Sequence, residues 1–294
     1  MEIFNSMKTL ILLLALIAPC LTFAGGGWPK KKGTGYYKLT EWWVVADKHY
    51  TSNGGTDPNV TTGIFNTSLY AEYGITDKLT GILYFPFFSR TFHNEIVSAT
   101  TGLVTTEGQA LNSIGDTDIG VKYGISKPGS YFAFAGSVIL GIPLGNNSGG
   151  RDGSLQTGDG EFNQMIQFDL SKSASFGKVS AYANLYAGLN NRTNSFSDEF
   201  RFGGEIGASF LENRLWFIYR INVLESFQNG LTSADGSSGT TIFSNNTEYA
   251  SYSYEGAFYI TDKLGISASY ASVFSGKLIF ASPSYSVGVF LDIK

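Results

Sequence analysis

The chain is poor in the residues that hold small exported proteins together or carry most catalytic chemistry. It has one cysteine, Cys20, and two histidines, His49 and His93, in 294 residues. A disulfide framework is therefore excluded, and metal or His-dependent catalytic sites have few groups to draw on. Charge is sparse as well: 15% of residues are charged and the net charge is −4, which leaves no basic surface for nucleic acid. Long apolar runs are missing too. The unbroken run at residues 10–18 is well short of the ~20 residues an α-helix needs to cross a bilayer.

That run belongs to a leader. Residues 1–24 combine a charged start containing Lys8, the apolar run, and a small-residue end at Thr22-Phe23-Ala24, the three parts of a cleaved export signal. Met7 is an alternative start codon to Met1, since Glu2 sits awkwardly in a basic leader. Cys20 lies within the leader and follows Pro19, where lipoprotein processing wants a small residue. The exported part is then cysteine-free, and must be held by core burial or by a closed hydrogen-bonded sheet.

What is abundant is aromatic, turn-forming and β-like: 36 Gly, 23 Phe and 17 Tyr against 7 Pro. Period-two alternation runs through segments of membrane-strand length, about 9–11 residues. Phe65, Thr67, Leu69, Ala71 and Tyr73 oppose Asn66, Ser68, Tyr70 and Glu72; Thr117, Ile119, Val121, Tyr123 and Ile125 oppose Asp116, Asp118, Gly120, Lys122 and Gly124. Phe132, Phe134, Val138, Leu140 and Ile142 form another apolar face. Phe200, Phe202, Ile206, Ala208 and Phe210 oppose Arg201, Glu205 and Ser209, and Tyr285 to Ile293 alternates against Ser284, Ser286, Gly288 and Asp292. In the first strand Trp42 and Trp43 fall on opposite faces, so its lumen side is not assignable.

This pattern predicts strands at 35–50, 61–74, 79–90, 114–125, 131–144, 161–171, 178–190, 198–211, 215–228, 246–260, 264–275 and 283–294. The fold class expected is all-β: a transmembrane antiparallel up-and-down barrel of about 12 strands. Short connections at 75–78, 126–130, 172–177, 212–214 and 261–263 alternate with longer ones such as 91–113, 145–160 and 229–245. In this architecture the short turns are periplasmic and the long loops extracellular. Both ends of the barrel region, 35–294, then fall on the periplasmic side, preceded by a short periplasmic segment, 25–34. Two turns share one sequence, Ile75-Thr76-Asp77-Lys78-Leu79 and Ile260-Thr261-Asp262-Lys263-Leu264, with Asp expected to bond nearby amides. Tyr73, Tyr123, Phe210, Trp216 and Tyr259 lie beside the short turns, where an interfacial aromatic girdle is expected. A soluble β-sandwich stays open, because alternation alone does not say whether the apolar neighbour is lipid or protein.

No catalytic, cofactor or metal site is expected. Neither histidine has a recognisable catalytic setting, although a hydrolase built from remote residues is a third reading. Asp116 and Asp118 share one strand face with no ligand-rich loop around them, which favours lumen lining over metal binding. The glycine-rich stretches 25–27 and 146–153 contain no phosphate cradle and read as flexible. The inward charged candidates are Glu72, Asp116, Asp118, Lys122, Asp169, Arg201, Glu205, Arg220 and Glu255. Such charges can line a hydrated path or pair across the lumen and plug it.

The stretch Ile114-Gly115-Asp116-Thr117-Asp118-Ile119-Gly120-Val121-Lys122-Tyr123-Gly124-Ile125 resembles the outer-membrane transporter-like family of meta-pathway phenol degradation. Gly27-Trp28-Pro29-Lys30, Gly33-Thr34-Gly35-Tyr36-Tyr37-Lys38-Leu39, Thr157-Gly158-Asp159-Gly160 and Ser282-Pro283-Ser284-Tyr285-Ser286-Val287-Gly288 are similar to it as well. The resemblance implies a Gram-negative outer-membrane barrel associated with uptake of small hydrophobic or aromatic compounds. The final Lys294 departs from the terminal aromatic common in such barrels, leaving Phe290 and the preceding alternation for the barrel assembly machinery to read. The expected function is passive passage of a small solute without a cofactor, with outer-membrane lipid around the barrel. The alternative is a non-conducting surface barrel whose loops bind a partner.

Overall fold

A computed structural model of the chain describes residues 26–231 and 241–294. The leader reading and Cys20 lie outside the described residues. The strands are β1 (Gly35–Tyr50), β2 (Thr56–Gly74), β3 (Leu79–His93), β4 (Ile96–Val97), β5 (Val104–Thr106), β6 (Gln109–Ser113), β7 (Thr117–Gly124) and β8 (Ala133–Ile142). They continue as β9 (Asn163–Phe176), β10 (Val179–Arg192), β11 (Glu199–Phe210), β12 (Leu215–Ser226), β13 (Glu248–Tyr259), β14 (Leu264–Lys277), β15 (Ile279–Phe280) and β16 (Ser284–Ile293).

Twelve of them, β1, β2, β3, β7 to β14 and β16, form a closed antiparallel sheet in which β1 pairs with both β2 and β16. Closure satisfies every edge, which a sheet in lipid requires. The expected loop 91–113 is more ordered than its composition suggests. Here β3 runs on to His93 and pairs with β6, while β4 and β5 make a small separate hairpin. Likewise β9 extends to Phe176, so its turn is only 177–178.

The radial order of side chains decides against a soluble sandwich. Ser89, Thr80, Glu161 and Asp169 are buried, while Leu39, Ile119, Val121, Ile166, Phe168, Leu185, Ile206 and Phe217 are exposed. Buried polar groups under an apolar skin are the reverse of a soluble core and the signature of a barrel whose solvent is lipid. In β1 the inward residue is Trp42, which joins Val44, Ala46, Ile64, Phe280 and Phe243 in an apolar cluster inside the long-loop end. Trp43 faces out and stacks on Tyr285 at 5.8 Å.

The two repeated turns share one hydrogen-bond pattern. Ile75 N donates to Leu79 O at 2.8 Å, and Ile260 N to Leu264 O at 2.8 Å. The side chain that caps them is threonine rather than the expected aspartate. Thr76 Oγ1 accepts from Leu79 N at 3.0 Å, and Thr261 Oγ1 from Leu264 N at 2.9 Å. Asp77 Oδ1 instead accepts from Lys32 N at 3.1 Å, tying the turn to the segment before β1.

That segment, 26–34, lies inside the short-turn mouth of the barrel. Gly27 N donates to Ser171 Oγ at 2.8 Å and Lys30 N to Thr80 Oγ1 at 2.8 Å, so the chain spans from β9 to β3 across the bore. A Cβ on Gly27 would sit 2.5 Å from the Ala133 carbonyl oxygen, and one on Gly26, where φ is +78°, would meet the Asn184 side chain at 2.5 Å. Glycine is what lets the segment press against the wall.

Candidate functional site

The inward faces of eleven of the twelve barrel strands enclose a cavity of about 780 Å³ between the N-terminal segment and the long-loop end. Its wall is rich in tyrosine: Tyr36, Tyr70, Tyr84, Tyr182, Tyr186 and Tyr259, joined by Trp216 and Phe290. Trp216 and Tyr259 were expected in the outer girdle. They point inward because their odd–even neighbours Phe217 and Phe258 take the lipid side, as the strand period requires. Trp216 packs beside Tyr182 at 5.9 Å, and the Tyr259 hydroxyl donates to Asp292 at 3.0 Å. Tyr73, Tyr123 and Phe210 do lie on the outer face.

Charged groups line this cavity without filling it. Arg220 on β12 bridges Glu205 and Glu255, each at 2.6 Å, and Lys38 meets Glu255 from the opposite side at 2.6 Å. Lys122 pairs with Glu72 at 3.1 Å, and the Tyr70 hydroxyl donates to the same carboxylate at 2.7 Å. Lys30, from the N-terminal segment, reaches Asp292 at 3.7 Å. Asp118 and Asp169 also stand on the wall. Of the nine sequence candidates, seven therefore face one space: Glu72, Asp118, Lys122, Asp169, Glu205, Arg220 and Glu255.

Arg201 and Asp116 are placed elsewhere. Arg201 clamps Glu199 at the long-loop end, with contacts of 2.8 and 2.5 Å. Glu199 is shared with Arg192, which also holds Asp159 at 2.8 Å and Glu161 at 2.6 Å. Asp116 accepts from the amides of Gly145 and Asp159 at 2.9 and 2.8 Å, so it anchors both ends of the connection 143–162. That connection folds inward: Leu155, Gln156 and Thr157 are buried, and the Thr91 hydroxyl donates to Gln156 O at 2.6 Å. Burial and the charge of Asp159 push the Asp116 carboxyl up to about 7. Burial likewise pushes Glu161 up to about 7, against the pull of Arg192.

Sequence reasoning missed Lys30, Lys38, Asp292 and the tyrosines. Asp292 carried the right parity in the last strand and could have been found by it. Lys38 belonged to the strand whose faces the two tryptophans left ambiguous. Nothing local marks Lys30 as a lumen group. His49 is buried against Phe280 at 5.2 Å, and His93 Nε2 contacts Gln109 at 2.9 Å, both at the long-loop end.

No family model matches the chain, and no curated protein matches it in sequence. Among solved structures it is similar to an outer membrane channel from Pseudomonas putida F1, at 13% identity and a TM-score of 0.56, over 92% of this chain and 100% of that one. It is also similar to the NanC porin, at 8% identity and a TM-score of 0.48 over 88% and 99% of the two chains. The KdgM porin follows at 9% identity and a TM-score of 0.42 over 89% and 99%. The first of these likenesses is one of fold.

Proposed function

We propose that this barrel is exported through a cleaved leader into the outer membrane of a Gram-negative cell and passes a small, hydrophobic or aromatic solute. The observation that carries this reading is the tyrosine-lined cavity of about 780 Å³, which lies within the range of roughly 300–1,000 Å³ typical of small-molecule sites. Passage requires no cofactor: solute moves down its gradient while lumen groups set which solutes dwell there. The apolar outer face supplies the lipid contacts, and the barrel assembly machinery is the partner needed for insertion.

A non-conducting surface barrel is the second reading, favoured by the N-terminal segment lying across one mouth and the connection 143–162 folded into the other. Flux through refolded protein in liposomes separates the two. Small aromatic compounds entering faster than sugars of similar size supports an aromatic path; equal entry indicates a general pore; no entry of either sinks the passage reading.

A further inference from the structure

The charges on the cavity wall are not evenly balanced. Glu72, Glu205, Glu255 and Asp292 each meet a lysine or arginine within 4 Å, whereas among the described residues Asp118 and Asp169 belong to no ion pair. Asp169 is 2% exposed and is held by two neutral donors, Gln167 Nε2 at 3.0 Å and Asn184 Nδ2 at 3.3 Å. These amides solvate the carboxylate without offsetting its charge. Asp118 feels Arg201, but that guanidinium is spent on Glu199.

Each of these carboxylates has a tyrosine as its direct cross-strand neighbour: Tyr84 opposite Asp118, and Tyr186 opposite Asp169. On β8, between the strands of the two aspartates, stands Ser137, which is 1% exposed and whose Oγ has no hydrogen-bond partner. It lines the same cavity, flanked across the sheet by Lys122 and Gln167. An unbalanced buried carboxylate and an unsatisfied buried hydroxyl are both costly. One ligand would relieve both. A cation with several N–H donors does so, and tyrosine faces attract such a cation while their rings accept an aromatic body.

We infer that the β8–β10 side of the cavity, with Ser137, Asp169 and Tyr186, is a binding site for a small aromatic ammonium ion; Asp118, level with Gly141 on β8 while Asp169 is level with Ala135, stands roughly 20 Å further along the wall and outside it. The site deepens the passage reading and rests on it for its physiological meaning, but binding is measurable separately. The probes are phenethylammonium, 2-phenylethanol and phenylacetate, which share a ring and a short linker and differ in charge. Binding is read by tryptophan fluorescence on the full chain in detergent, where Trp216 lies on the cavity wall. Flux is read in liposomes.

The expected result is saturable binding of phenethylammonium over 2-phenylethanol by roughly tenfold or more, the effect of one charge-assisted hydrogen bond. The preference should fall towards one in D169N and persist in D118N, whose carboxylate lies outside the site, with phenylacetate weakest on the parent chain. Retained heat-modifiable migration on gels shows that the variant is folded, and S137A, which removes the unpartnered hydroxyl, serves if D169N fails to fold. Equal binding of the three probes overturns the site while leaving passage intact. Saturable phenethylammonium binding with no flux of any probe upholds the site and overturns passage. A preference unchanged in a folded D169N, or potassium competing as well as phenethylammonium, refutes an organic ammonium site.

Discussion

Among the described residues Arg220 is the one cation on Glu205 and one of two on Glu255, so replacing it tests whether the lumen pairs hold the barrel. Arg220→Gln leaves Glu205 with no cation and Glu255 with Lys38. Removing one partner of a fully buried pair costs about 3–5 kcal/mol. Arg220 keeps 29% of its side chain exposed and the lumen is polar, so screening reduces the expected loss to about 1–2 kcal/mol. Urea unfolding of the refolded barrel in bilayers, followed by tryptophan fluorescence, measures it. Removing the stranded charge as well, in R220Q/E205Q, should recover part of the loss and give a coupling above the roughly 0.5 kcal/mol scatter of independent sites. Strict additivity, or R220Q as stable as the parent, would refute the reasoning: the charges would then be solvated by lumen water and merely adjacent.

Three further outcomes follow from the same geometry. Asp116 and Glu161 have folded-state pKa values near 7, above the ordinary carboxylate range, so folded protein holds protons there that unfolded chain has released. Their contribution is present at low pH and is lost as pH rises from about 4 through 7; the protection of amides in 143–162, taken relative to their intrinsic base-catalysed exchange rate at each pH, should therefore be greater at pH 5 than at pH 8, and D116N should flatten that difference in protection. With single-tryptophan chains, brominated lipid should quench Trp43 strongly and Trp216 weakly, since the first faces lipid and the second the cavity; equal quenching would contradict the inward assignment. Gly27→Val would put its Cβ 2.5 Å from the Ala133 carbonyl oxygen, so the N-terminal segment should lift from β9 and ion conductance should rise; unchanged conductance in planar bilayers would mean that the segment does not limit the bore.

Parity along each strand is a local property, and it was legible wherever apolar and polar residues alternated without interruption. It placed Glu72, Asp118, Lys122, Asp169, Glu205, Arg220 and Glu255 inward. It failed where composition was allowed to outrank it. Trp216 and Tyr259 were given to the girdle because they are aromatic and sit near turns, although their own neighbours, Phe217 and Phe258, claim the lipid side. The threonine caps were hidden for a similar reason, since aspartate is the commoner turn acceptor and only the backbone geometry shows which oxygen the amides reach.

By itself the sequence determined the strand number, the alternation of short and long connections, and the closed antiparallel barrel, because each follows from a repeat of two residues and from turn chemistry within a few positions. Only the tertiary structure decided which inward groups meet. Lys38 and Glu255 lie 217 positions apart and join because β1 stands at the seam where the sheet closes on itself. The path of residues 26–34 across the mouth, the inward fold of 143–162, and the aspartates left without cations depend on the diameter and stagger of the closed sheet, which no local period encodes.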